Sequence, residues 1–270
     1  MESSFTLELE HISKAFDDGF EVVKDVSIKT KKGEFVCLIG PSGCGKTVLL
    51  YTIAGFFSTH AGNVRVNGKI AHFVGQDRMM VFQDHMLFPW KTVFQNLMFG
   101  VKKSPLPKLE KIALAEKYLK SVDLLKFRDW PIYKLSGGMK QRVAFARSLL
   151  ADPGILLMDE PFSSLDSITR HNLRKKLINL WQENEKTILF VTHSVNEAIY
   201  LADTIYLMSA RPTTVRKTYA INLPRPRDLT DPNFIEILKQ LEADIQAEFE
   251  FDKNYVDEQI GFNDLLITQL

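Results

Sequence analysis

Eight consecutive residues, Gly40-Pro41-Ser42-Gly43-Cys44-Gly45-Lys46-Thr47, match the pattern G-x-x-x-x-G-K-[ST]. In such a loop successive backbone N–H groups face one anion, and the anion this spacing suits is a nucleotide phosphate chain. Gly40, Gly43 and Gly45 permit the close approach, Lys46 would reach the β- and γ-phosphates, and the Thr47 hydroxyl would bind Mg²⁺. A second group of reactive side chains is Asp159-Glu160, which follows the apolar run Ile155-Leu156-Leu157-Met158. Asp159 is placed to hold Mg²⁺ and Glu160 to take a proton from an attacking water; a surface acidic pair is the other possibility. Gln83 ends the run Met79-Met80-Val81-Phe82 and could reach a metal ion or the water. His193 follows Val191-Thr192 and could contact a γ-phosphate, although a lone histidine is usually structural. Ser136-Gly137-Gly138 offers bare N–H groups to an anion, or simply caps a helix. Phe16 could stack on an adenine ring or join the core.

These groups need strand ends and helix starts to hold them. Residues 34–39 form a short apolar run suited to a buried strand, and residues 48–54 suit a helix, so the glycine-rich stretch is a strand-to-helix turn. The helix N-terminus adds its partial positive charge to the phosphate site. Residues 155–158 and 187–191 read as two more buried strands, each ending in polar residues, which is where open α/β sheets place ligand-binding groups. Residues 204–208 supply a further strand, and 167–184 an amphipathic helix. Residues 5–11 alternate apolar and polar, 22–28 less cleanly, and Asn67-Gly68 suggests a hairpin joining 64–66 to 69–73. Residues 91–151 read mostly as helix, interrupted by the connector 102–107. The run Met86-Leu87-Phe88-Pro89-Trp90 before it is either local packing or a docking surface for a partner.

Composition bounds the class. The 270 residues carry 34 Lys+Arg against 33 Asp+Glu, so no global field favours nucleic acid as the main partner. The N-terminus lacks the basic and apolar regions of a signal peptide, and no apolar stretch is long enough to span a bilayer. The two cysteines, Cys37 and Cys44, both lie in the nucleotide strand and loop, which fits a reducing compartment better than a disulfide scaffold.

The ordered set of phosphate loop, Gln83, Leu135-Ser136-Gly137-Gly138-Met139-Lys140-Gln141-Arg142, Asp159-Glu160, Ser164-Leu165-Asp166 and His193 resembles the nucleotide-binding subunit of ATP-binding-cassette (ABC) transporters. The resemblance implies an α/β fold: a P-loop NTPase (RecA-like) core, an antiparallel β subdomain, and a helical signature subdomain at about 91–151. An ATPase domain would cover 5–228, with a C-terminal helical extension over 229–270. It also implies that two cassettes pair head to tail, each ATP lying between one phosphate loop, with Val48 at its end, and the opposite signature helix. Ser136, Gly137 and Gly138 would then meet the partner's γ-phosphate, and Asp166 would make a cross-dimer contact. Glu160 becomes the general base, His193 the residue fixing γ-phosphate and water, and Phe16 the adenine stack. Gln83 becomes an Mg²⁺ ligand, beside Thr47 and Asp159, that senses the membrane partner; Leu87, Phe88, Pro89 and Trp90 would transmit the motion.

Residues 81–92, 159–170, 191–198 and 224–228 look like the nitrate, sulfonate, taurine and bicarbonate importer group. That group implies transmembrane permease subunits as partners, a solute-binding protein acting indirectly, and a peripheral place on the cytoplasmic face of the inner membrane. The rival is a soluble ABC ATPase working on ribosomes or nucleic acid; such chains usually carry two cassettes or a long coiled-coil insertion, and this chain has neither. Three departures stand out. Val48 replaces a second hydroxyl residue, which removes one hydrogen bond expected at the α-phosphate. Ser164 replaces a common Ala, and the 211–215 segment lacks a Gly that often follows its Pro. The acidic tail, with nine acids against two lysines over 231–258, repeats Ile235, Leu238, Leu241, Ile245 and Phe249 at helical steps. This predicts a helix packed along one face, covering the cassette or contacting a second cassette or regulatory partner.

Overall fold

The computed structural model describes residues 5–16, 19–163 and 165–248. Two sheets organise it. Strands β1 (Phe5–Ala15), β2 (Glu21–Lys31), β4 (Ala61–Val66) and β5 (Lys69–Ile70) form an antiparallel sheet in the order β2-β1-β4-β5. The second sheet contains β3 (Phe35–Ile39), β6 (Arg78–Val81), β7 (Ile155–Asp159), β8 (Thr187–Val191), β9 (Thr204–Met208) and β10 (Val215–Ala220). Its order is β10-β9-β3-β8-β7-β6, parallel except for β10 at the edge.

The residues of β3, β7 and β8 are buried without exception. Such strands cannot show the in–out alternation of a half-wet sheet, because both faces are covered. The alternation persists instead as a division between two cores. Phe35, Cys37, Ile39, Leu156, Met158, Ile188 and Phe190 face the helices α4 (Gly137–Leu150), α5 (Ser167–Asn184) and α6 (Val195–Leu201). Val36, Leu38, Ile155, Leu157, Leu189 and Val191 face α1 (Lys46–Ala54) and the antiparallel sheet. Between β6 and β7 the chain forms α2 (Val93–Gly100), α3 (Lys108–Ser121) and α4, the helical block expected there. Cys37 and Cys44 are buried and unpaired.

Two expectations need correction. The hairpin at Asn67-Gly68 forms, with φ of 49° and 75° at its turn, but its second strand stops at Ile70 rather than Phe73. Ala71 still donates to the Val64 carbonyl at 2.8 Å, and beyond it the chain leaves the sheet, where Arg78, buried at the start of β6, ties the Phe73 carbonyl to that of Ile53 in α1. The tail is helical over 232–248 (α7), yet Ile235 is 37% exposed while Phe234 and Leu241 are wholly buried. The seam is Phe234, Ile237, Leu238, Leu241 and Ile245, one residue out of phase at its start. Lys217 and Tyr219 on β10 both bind Asp244, which fixes the rotation of the helix. Phe249, Ser164 and the residues beyond 248 lie outside the described residues. No helix among the described residues is long and apolar enough to cross a membrane.

Candidate active site

The loop after β3 is shaped by positions only glycine fills. Gly43 and Gly45 have φ of 72° and 125°, and a Cβ on Gly40 would stand 2.6 Å from the Met208 carbonyl oxygen. Lys46, 5% exposed, folds back over the loop. Its Nζ donates to the carbonyls of Gly40 at 2.8 Å and Pro41 at 2.7 Å, and lies 3.6 Å from the Cys44 sulfur. A compact cation is thus held at the mouth of an N–H-rich loop whose helix starts with no side-chain cap at Gly45. Ser42 and Gly43 are exposed, Pro41 is buried, and Val48 is half-buried against the core shared with the antiparallel sheet.

Strand register brings the acids to the same edge. The Thr47 hydroxyl donates to Asp159 Oδ1 at 3.1 Å. Burial raises the Asp159 carboxyl above its ordinary pKa and Glu160 adds to the rise; the Thr47 hydrogen bond and Lys46 oppose it. A buried carboxylate beside a hydroxyl is a hard oxygen donor pair of the kind Mg²⁺ accepts. Among the described residues no cluster of three His, Cys, Asp or Glu could hold a metal unaided. The donor set therefore fits an ion that keeps phosphate and water oxygens as its other ligands. Gln83, expected as a third ligand, sits two residues past the end of β6, is exposed, and forms no hydrogen bond with a described residue.

Glu160 leaves β7 at φ 42°, a left-handed conformation that is uncommon outside glycine. Three bonds hold it: its N–H donates to the Val191 carbonyl at 3.0 Å, and its carbonyl accepts from Ser163 N at 3.1 Å and Ser163 Oγ at 3.0 Å. The turn aims the side chain at the end of β8, where His193 Nδ1 stands 3.0 Å from Glu160 Oε2. Because the carboxylate accepts, Nδ1 donates to it, and Nε2 has no hydrogen-bond partner among the described residues. Sequence reasoning missed the shell behind this pair. Thr192 donates to the buried Glu197 at 2.8 Å, Ser194 caps α6, and Arg170 reaches Glu197 at 3.8 Å while bonding the Phe162 and Leu165 carbonyls. Thr192, Ser194 and Glu197 lie within six residues, and the Ser194-x-x-Glu197 spacing is the local signal that marks this helix start; only Arg170 comes from another element, α5.

The remaining candidates stand apart from this cluster. Ser136 caps α4, accepting from Met139 N at 3.3 Å, and Gly137 and Gly138 open the helix. Among the described residues no hydrogen bond joins 136–138 to the phosphate loop; His85 Nε2 instead donates to the Gly137 carbonyl at 2.8 Å. A Cβ on Gly137 would meet nothing within 4 Å. Asp166 caps α5 through Thr169 N at 2.9 Å, and the Thr169 bonds hold its carboxyl below the ordinary range. Phe16, 41% exposed, meets Phe57 edge-on with ring centroids 6.1 Å apart. The 86–90 run divides, residue by residue, between packing and exposure. Leu87 packs on the core and Phe88 lies 4.6 Å from Phe99, whereas Met86, Pro89 and Trp90 are exposed. The buried Asn96 amide binds both the N–H and the carbonyl of Phe88, and the Thr92 carbonyl as well.

Comparison with known proteins follows this geometry. The family described as "ABC transporter" matches residues 23–163. An uncharacterized ABC transporter ATP-binding protein of Methanocaldococcus jannaschii is 44% identical, over 87% of this chain and 89% of that protein. The nitrate import ATP-binding protein NrtD of Synechocystis is 45% identical, over 75% of this chain and 76% of that protein. Further relatives are named as import ATP-binding proteins for aliphatic sulfonates (Bacillus cereus), taurine (Pelagibacter ubique) and bicarbonate (Synechocystis). A solved ATP-binding cassette, dimeric in a post-hydrolysis state with ADP and Pi, superposes with a TM-score of 0.72 at 28% identity, covering 81% of this chain and all of that one.

Proposed function

The chain belongs to the ABC transporter ATP-binding family, and from that premise we propose that it is the ATP-hydrolysing subunit of an importer for a small anion of the nitrate, sulfonate, taurine or bicarbonate class. The observation that carries the reading is the meeting of Thr47, Asp159, Glu160 and His193 beside a glycine-shaped loop that holds Lys46. Lys46 would exchange its two carbonyl partners for phosphate oxygens, a stronger charge-assisted pairing. Mg²⁺, held by Thr47, Asp159 and Gln83, would neutralise charge developing on the phosphates. Glu160 would accept the proton of the attacking water, its orientation set by the left-handed turn. His193, fixed through Nδ1, would present Nε2 to the γ-phosphate and the water, accepting from the water as a neutral ring and donating to the phosphate as the imidazolium.

Ser136, Gly137 and Gly138 would serve the nucleotide of a second cassette rather than their own. The open space over Gly137 supports this, since no neighbour in the same chain demands a residue without a side chain there. Asp166 would meet the same partner, and Phe16 would stack on the adenine. Permease subunits would dock on the exposed Met86, Pro89 and Trp90 from the cytoplasmic face of the membrane, with a solute-binding protein delivering the anion to them. Mixing the Glu160→Gln chain with ATP tests the scheme. Hydrolysis-deficient material should become a dimer only when nucleotide is present, and its permease should co-purify with the wild type. A persistent monomer, or co-purification with ribosomes or DNA instead, would remove the proposal.

A further inference from the structure

The 211–215 segment, whose departure from the family pattern left it without a role, lies against the back of the phosphate loop. Arg211 Nε donates to the Gly43 carbonyl and Thr213 Oγ1 to the Cys44 carbonyl. Two side chains of one segment thus take two successive carbonyls of the loop. Thr213 is fully buried and anchored to β2: its N–H donates to the Val22 carbonyl at 2.8 Å, and its carbonyl accepts from Lys24 N at 2.9 Å. The Ser209 hydroxyl, accepting from Thr214 N at 2.8 Å, closes the base of the segment. Arg211 is exposed and rests 5.8 Å from the Phe20 ring centroid. Thr213 Oγ1 also stands 3.0 Å from where a Cβ on Gly45 would lie, so the brace and the glycine share one space.

A trans peptide points its C=O and N–H in opposite directions. Turning the Gly43 and Cys44 carbonyls toward Arg211 and Thr213 sends the N–H groups of Cys44 and Gly45 toward the far side of the loop, the side on which an anion would lie. Among the described residues the Cys44 N–H meets only the Pro41 carbonyl, at 3.4 Å. A loop with its donors already aimed loses less freedom when the anion arrives.

We infer that Arg211 and Thr213 are positioning residues of the phosphate loop, which set nucleotide affinity from behind it without touching the nucleotide. The inference rests on the nucleotide reading above, and the test separates the two. The full-length chain is titrated with MgATP, its ATPase KM and kcat are measured, and its melting temperature is recorded without nucleotide. Thr213→Val and Arg211→Ala should each raise Kd and KM roughly three- to tenfold, the scale of one lost hydrogen-bond partner, with kcat changed less than about twofold. Thr213→Ser, which keeps the hydroxyl, should restore the affinity. Wild type that binds no ATP would remove the nucleotide reading and the brace together. Wild type that binds, with both variants unchanged, would remove the brace alone. Affinity that falls only in step with melting temperature, with Ser no better than Val, would reduce the contacts to fold support and overturn the inference.

Discussion

The phosphate loop and its carboxylates stand at the ends of strands that have no exposed residue, while Ser136, Gly137 and Gly138 open a helix at the surface with open space over Gly137. On the first side Lys46, Thr47 and His193 already have partners: Lys46 on carbonyls, Thr47 on Asp159, His193 on Glu160. On the second, Ser136 serves as a cap and the Gly137 carbonyl accepts from His85, and the glycines satisfy no steric demand of their own chain apart from Gly138, whose Cβ would come within 3.3 Å of Leu165. One side is complete as folded. The other makes sense only when something else is brought to it, which is why a single chain is half of the proposed machine.

Substitutions can break that contrast. The largest effect is expected on the complete side: Glu160→Gln should leave ATP binding intact and lower turnover by ~10²–10⁴, the usual range for a lost general base. Single-turnover hydrolysis checks it, and near-normal rates would remove Glu160 from the role. On the open side, Gly137→Glu should leave the folded monomer undisturbed, because nothing lies in its path and an acid in the first helical turn is favoured. It should still cut the ATPase of the assembled transporter by roughly 10²-fold, the loss expected when anion-stabilising donors are opposed. Equal melting temperatures with unequal ATPase would sharpen the comparison, and unchanged ATPase would dissolve it. The smallest effect belongs to the loop itself. Val48→Thr supplies the hydroxyl missing at the third helical position and should tighten ATP by ~1 kcal/mol, about fivefold, in a binding titration.

The parts legible in the sequence were those where one local pattern has one physical solution. The loop, the buried strands before Asp159 and Thr192, and the turn at Asn67-Gly68 each depend on residues a few positions apart. What escaped depends on contacts between distant segments. Thr213 reaches Cys44 across 169 positions and Arg211 reaches Gly43 across 168, and neither distance leaves a periodic trace. The phase of α7 escaped for a related reason: apolar residues at 234 and 235 are equivalent by composition, and the choice is made by the bonds from Lys217 and Tyr219 to Asp244. Burial also pushes the Tyr219 hydroxyl up to about 12, so it remains a donor to that carboxylate throughout the neutral range. The 86–90 run was ambiguous because it packs with some residues and exposes others, and the residues of a loop carry no periodic signal to say which side they take.

The three bonds that Asn96 makes to Phe88 and Thr92 have a mechanical meaning. A loop fastened through both the N–H and the carbonyl of one residue has its two adjoining peptide units held at once, which would stiffen it against the swing of a hinge. A push delivered at Trp90 would pass undamped into α2 and onward to α4, whose first turn carries Ser136 and its glycines. On the proposed reading, the exposed Trp90 would be the rigid end of a pushrod.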